Sequence, residues 1–83
     1  MAKGEFSYKI MKDLGVLKSS KNGWQREVNI VSWNGASPKL DIRDWAPDHE
    51  KMGKGISLSA EEVEIVKEIL ADFDGYSLED LEG

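Results

Sequence analysis

Lys39-Leu40-Asp41-Ile42-Arg43-Asp44-Trp45 is the stretch on which the fold turns. Leu40 and Ile42 point to one side of an extended chain, and Lys39, Asp41, Arg43 and Trp45 point to the other. A period of two specifies a strand with one apolar face and one polar, aromatic face. Downstream, Ser59 begins a different pattern. Ser59 with Glu62 fits a capping box, and Leu58 with Val63 fits a hydrophobic staple. Val63, Val66, Ile69, Leu70 and Phe73 recur at helical spacing and form one apolar stripe, which Ile65 widens. Glu61, Glu62, Glu64, Glu68 and Asp72 make the polar side, and the early acids suit the helix dipole. Gly75 fits a C-cap.

Upstream, Phe6 to Ser19 alternates at its start, with Phe6, Tyr8 and Ile10 opposite Ser7, Lys9 and Met11. This predicts a strand, with Gly15 marking a bulge or bend. Asn22-Gly23 supplies a turn. Trp24 to Trp33 predicts a second strand with apolar groups on both faces, a pattern that calls for cover on both sides or a ligand on one. Asn34-Gly35 opens another turn. Ala46 to Lys54 reads as a long loop or hairpin end, and Ile56 and Leu58 close a short fourth strand. The predicted fold is α+β: a four-stranded curved antiparallel sheet followed by one amphipathic helix (ββββα). Residues 1–75 form the functional domain and 76–83 an acidic C-terminal tail.

The chain has 83 residues and a mass of 9.3 kDa, which is one domain. A core this small is marginal alone, so pairing of two chains is expected. Without cysteine there is no disulfide, thiolate nucleophile or Cys-based zinc site. A single histidine, His49, argues against a His-based metal site or triad. No nucleophile–base pair stands out, so no enzyme, cofactor or metal is expected. No apolar run approaches the roughly 18 residues of a membrane span, and Met1 to Glu5 does not open a signal peptide. The expected setting is cytoplasmic and nucleoid-associated.

Net charge is −5, yet it is unevenly spread. Residues 1–58 hold eight Lys and two Arg against seven acids, a net of +3; residues 59–83 hold one Lys against nine acids, a net of −8. A partner meets the local surface rather than the sum. On the sheet, cations and indoles interleave: Lys18, Lys21, Trp24, Arg26, Trp33, Lys39, Arg43, Trp45, Lys51 and Lys54. Single-stranded nucleic acid asks for this mixture, because cations track phosphates and rings stack on unpaired bases.

Plainer roles compete with that one. Trp45 fits packing beneath a loop or at a dimer contact as well as it fits binding. Trp33 sits with Val31, which favours a core role. Trp24 fits an exposed cross-strand aromatic as well as a ligand platform. Arg43 lies two residues from Asp41, which suits a surface ion pair. Gly53-Lys54-Gly55-Ile56-Ser57 weakly resembles a phosphate loop but lacks its full spacing. Asp41, Asp44, Asp48, His49 and Glu50 straddle a strand and a turn, where acids are common without a metal.

Asp41-Ile42-Arg43-Asp44-Trp45, a loop, then Gly53-Lys54-Gly55-Ile56-Ser57-Leu58-Ser59 and an amphipathic helix together resemble the transcriptional positive cofactor four family, and most of all its short bacterial YdbC-type members. The resemblance implies a homodimer whose helices help form the interface, and the apolar stripe Val63, Val66, Ile69, Leu70 and Phe73 is the expected contact. It also implies curved sheets that form grooves for single-stranded DNA. Carried over by position, it places Trp33, Lys39, Arg43, Trp45 and Lys54 on the nucleic acid. Lys18, Lys21, Trp24 and Arg26 rest on their chemistry and their proximity to the first hairpin, not on the family motif. The expected function is sequence-tolerant single-stranded DNA binding in transcription or DNA maintenance, with the transcription machinery as a further partner. The alternatives are RNA as the ligand, and a protein-interaction module acting through the acidic helix.

Overall fold

The computed structural model describes residues 6–73. Four antiparallel strands form one sheet in the order β1-β2-β3-β4: β1 Tyr8–Ser19, β2 Gln25–Trp33, β3 Lys39–Trp45 and β4 Met52–Leu58. A short 3-10 turn, Pro47–His49, joins β3 to β4, and one helix, α1 Ala60–Ala71, follows. The expected ββββα order is the observed one. β3 covers the residues read from its alternation. The helix start is equally local in origin: the Glu62 amide donates to Ser59 Oγ at 3.2 Å, and the Ser59 amide donates to Glu62 Oε1 at 2.9 Å. Asp72 is the C-cap residue; Gly75 and the acidic tail at 76–83 lie outside the described residues.

Two strands depart from the sequence reading. β4 starts at Met52, so the last three residues of the expected loop, Met52, Gly53 and Lys54, are strand. Its glycines look like breakers, but they serve close packing. A Cβ on Gly55 would sit 2.1 Å from Arg43 Cβ and 2.6 Å from the Ile42 carbonyl oxygen. Only a glycine lets β4 pass the root of the Arg43 side chain. In β1 the alternation holds to Ile10, after which the register slips between Ile10 and Lys12, Asp13 and Gly15, and Val16 and Lys18. Each irregularity bends the strand and raises its twist, and the bend expected at Gly15 falls at one of them.

Register sorts the side chains into two faces, since directly paired residues share a face. One face carries Tyr8, Ile10, Glu27, Asn29, Val31, Trp33, Asp41, Arg43, Trp45 and Ser57. Tyr8 pairs with Trp33 and Trp45 with Gln25, eight positions apart along β2. Flat strands would hold those positions about 26 Å apart. The rings of Tyr8 and Trp45 nevertheless lie 5.3 Å from each other. The sheet therefore curls, and this face is concave. Its floor contains the fully buried side chains: Val31, Trp45, Asn29 and Asp41.

The convex face carries Val28, Ile30, Leu40, Ile42, Ile56 and Leu58. Helix α1 rests over one end of it, where Ala60 and Val63 line a crevice with Ile30, Pro38 and Leu40. On its outer side Ile69 and Leu70, and Phe73 just past its end, are 65%, 52% and 44% exposed. Among the described residues no helix is long and apolar enough to cross a membrane.

Candidate nucleic-acid interface

The concave face is organised by one buried carboxylate. Asp41 is fully buried and accepts two bonds from Arg43, from Nε at 2.7 Å and from Nη2 at 2.8 Å. Residues two apart on a strand share a face, so β3 sets up this pair locally. The predicted surface ion pair exists, but its acid is in the interior. Ser57 Oγ also donates to Asp41 Oδ1 at 2.8 Å, and Trp33 Nε1 donates to Ser57 Oγ at 3.0 Å. The Arg43 guanidinium carbon then lies 4.7 Å over the Trp33 ring. Arg43, Asp41, Ser57 and Trp33 close a loop of contacts that fixes both the indole plane and the cation on it. Arg43 Nη1 further donates to the Gly53 carbonyl at 3.4 Å. Three of its five N–H groups are thus held by oxygen acceptors of the protein.

A line of rings runs over this floor. Phe6 lies 5.8 Å from Trp33, Trp33 5.8 Å from Tyr8, Tyr8 5.3 Å from Trp45, and Trp45 4.6 Å from His49. The open part is a shallow groove lined by Phe6, Trp33, Arg43, Met52 and Ser57. Aromatic surface beside a fixed guanidinium is the arrangement on which an unpaired base can stack while its phosphate meets positive charge. Phe6 and Tyr8 were absent from the sequence-derived candidates. Their signal in the sequence is the shared side of the first alternation.

At the far end the rings go under cover. Trp45 is only 1% exposed, between Tyr8 and His49, so it belongs to the core. Its alternation named the correct face, but curvature and the Pro47–His49 turn bury it. That turn is latched by His49 Nε2, 2.9 and 3.0 Å from the two Glu27 carboxylate oxygens. Glu27 Oε1 also accepts from Asn29 Nδ2 at 3.1 Å.

The remaining cations do not gather in the groove. Lys39, at the start of β3, shares the concave side and is exposed. Lys51 just before β4 and Lys54 within it are exposed, and Gly53-Lys54-Gly55 is strand and not a phosphate loop. Lys18 and Arg26 pair across β1 and β2 on the convex side, one residue out of phase with Trp45. Trp24 lies beside them, and Lys21 stands in the intervening turn. The β1 irregularities decide the side of Lys18. Arg26 Nε donates to Asp44 Oδ1 at 2.9 Å, and this bond holds the Asp44 carboxyl below its ordinary range and raises the guanidinium. Among the described residues no group of three or more His, Cys, Asp or Glu is placed to hold a metal ion.

Comparison with known proteins agrees with this geometry. Residues 20–69 match the family described as Transcriptional Coactivator p15 (PC4). An uncharacterized protein of Treponema pallidum (strain Nichols) is 42% identical over 66 residues, spanning 80% of this chain and 78% of the relative. The matched segment contains β2, β3, β4 and most of α1, which carry the Arg43–Asp41–Ser57–Trp33 loop. The chain belongs to the PC4 (transcriptional coactivator p15) family of single-stranded-DNA-binding, coactivator-type domains.

Proposed function

We propose that this chain is a sequence-tolerant single-stranded DNA-binding protein whose concave face takes the strand, without catalysis. The observation that carries the reading is the open groove of Phe6 and Trp33 beside the fixed Arg43 guanidinium. Base stacking on rings is worth about 1–3 kcal/mol per base and tolerates sequence, because every base has a π-face. Lys39, Lys51 and Lys54, all exposed, supply mobile charge for the backbone. A duplex hides its base faces and gains nothing from the rings. Competition at fixed salt between oligo-dT, the matching RNA and a duplex tests this. Oligo-dT is expected to win over duplex by at least about tenfold, or 1.4 kcal/mol. Equal affinity for duplex contradicts the reading, and a preference for RNA reassigns the ligand.

The same proposal makes the working unit a homodimer. Support comes from the apolar stripe of α1 and its end, where Ile69, Leu70 and Phe73 are exposed among the described residues. Val63 faces the sheet crevice instead, so it contributes to the fold within one chain. Patches of this kind on small domains mark association surfaces. Leu70→Asp is expected to shift the sedimenting species from twice 9.3 kDa to a single chain. An unchanged mass removes α1 from the interface. A role beside the transcription machinery follows from the family alone and belongs to the proposal.

A further inference from the structure

We propose that the pocket at the β1–β2 turn, on the convex side, is a second nucleotide site that takes one phosphate and one base. The inference rests on the single-stranded DNA reading above. The pocket is bounded by Lys18, Ser20, Asn22, Trp24, Arg26 and Asp44. Lys18, Arg26 and Asp44 form one row across β1, β2 and β3. Two cations against one acid leave the row at +1, suited to a phosphate.

Arg26 holds Asp44 unevenly, at 2.9 Å through Nε and 3.4 Å through Nη2, and both side chains are well exposed, at 50% and 36%. An exposed pair of this kind is weak and exchangeable. A phosphate offers the same two-oxygen geometry to the guanidinium fork and displaces the carboxylate. Trp24 supplies the stacking surface. Its ring is half-buried and backed by β4, where a Cβ on Gly53 would lie 3.3 Å from Cζ3. Its amide donates to Asn22 Oδ1 at 3.2 Å, which ties it to the turn. The turn is itself seated, since Gly23 at φ 92° lies so close to Pro47 that a Cβ would meet its ring at 2.8 Å.

The pocket lies at the Trp45 end of the sheet, because Arg26–Asp44 is the pair next to Gln25–Trp45. A strand leaving the concave face at that end passes the turn and Lys21 before reaching it. The nucleotide then comes either from the same strand or from a separate one.

The test uses the full chain with labelled oligo-dT of about 6 and about 20 nucleotides, one near the short end of single-strand site sizes and one beyond the long end. Arg26→Gln is expected to weaken the long oligonucleotide several-fold and to reduce the log–log salt slope by about 0.7. Asp44→Asn, which frees the guanidinium, is expected to tighten it several-fold. Asp48→Asn is the charge-matched control and should leave affinity nearly unchanged. If the short oligonucleotide is indifferent to these changes, the same strand reaches both sites. If it responds equally and thymidine monophosphate competes, the pocket takes a separate strand. Trp33→Ala separates the two readings. If it weakens binding while Arg26→Gln and Asp44→Asn do nothing, or if Asp48→Asn tightens as much as Asp44→Asn, the pocket is overturned and the groove stands. If the unaltered chain binds neither oligonucleotide, the groove reading fails, and the pocket with it.

Discussion

Asp41→Ala is expected to lower the unfolding free energy by about 3–5 kcal/mol, the range for removing one partner of a buried ion pair. The side chain of Asp41 has no solvent exposure and that of Arg43 has 16%. Taking away the carboxylate strands a guanidinium on the concave floor. It also deprives Ser57 of its acceptor and loosens the hydroxyl that receives the Trp33 indole N–H. Asp41→Asn should cost less, because an amide oxygen still serves Ser57 while the charge pairing is lost. Urea unfolding at one fixed protein concentration checks this, since association raises apparent stability by mass action. The midpoint should fall with the slope unchanged, which marks a change in stability rather than in the unfolded state. A loss below about 1 kcal/mol would mean that water already screens the pair.

Trp33→Ala and Trp45→Ala should fail in different ways, although both are tryptophans of one face. Trp33 lines the open groove, so its loss is expected to weaken oligo-dT by about 1–3 kcal/mol, or roughly 5- to 150-fold. Trp45 is enclosed by Tyr8 and His49 and makes no open surface. Its truncation leaves a cavity, and the expected cost is about 3–5 kcal/mol of stability. Binding measured well below the melting range of each variant, with urea unfolding alongside, separates the two effects. Should Trp45→Ala fold normally and lose only affinity, the turn that covers it opens in solution and the ring belongs with the groove.

That contrast shows what the sequence carries and what it does not. β3 and the start of α1 were legible because both are set within a few residues: strict alternation from Lys39 to Trp45, and a capping box from Ser59 to Glu62. The Arg43–Asp41 pair was legible for the same reason. Its burial was not, because that depends on Ser57 arriving from β4 and Trp33 from β2. Gly53 and Gly55 misled for a physical cause. Glycine signals a loop by conformation, but here it permits β4 to pass Arg43 and Trp24 at close range. The irregular register of β1 hid the side on which Lys18 lies, since each slip of one residue reverses the faces. The net of +3 over residues 1–58 points to an anionic partner, yet the cations are divided between two faces. The proposed groove is lined more by rings than by charge.

The most direct measurement is fluorescence from a chain whose sole indole is Trp33, made with Trp24→Phe and Trp45→Phe. Titration with oligo-dT is predicted to quench that emission to saturation, with an affinity that falls as salt rises, while a matched duplex leaves it nearly unchanged. Emission that oligo-dT does not move, or that duplex moves equally, contradicts a single-strand groove at Trp33.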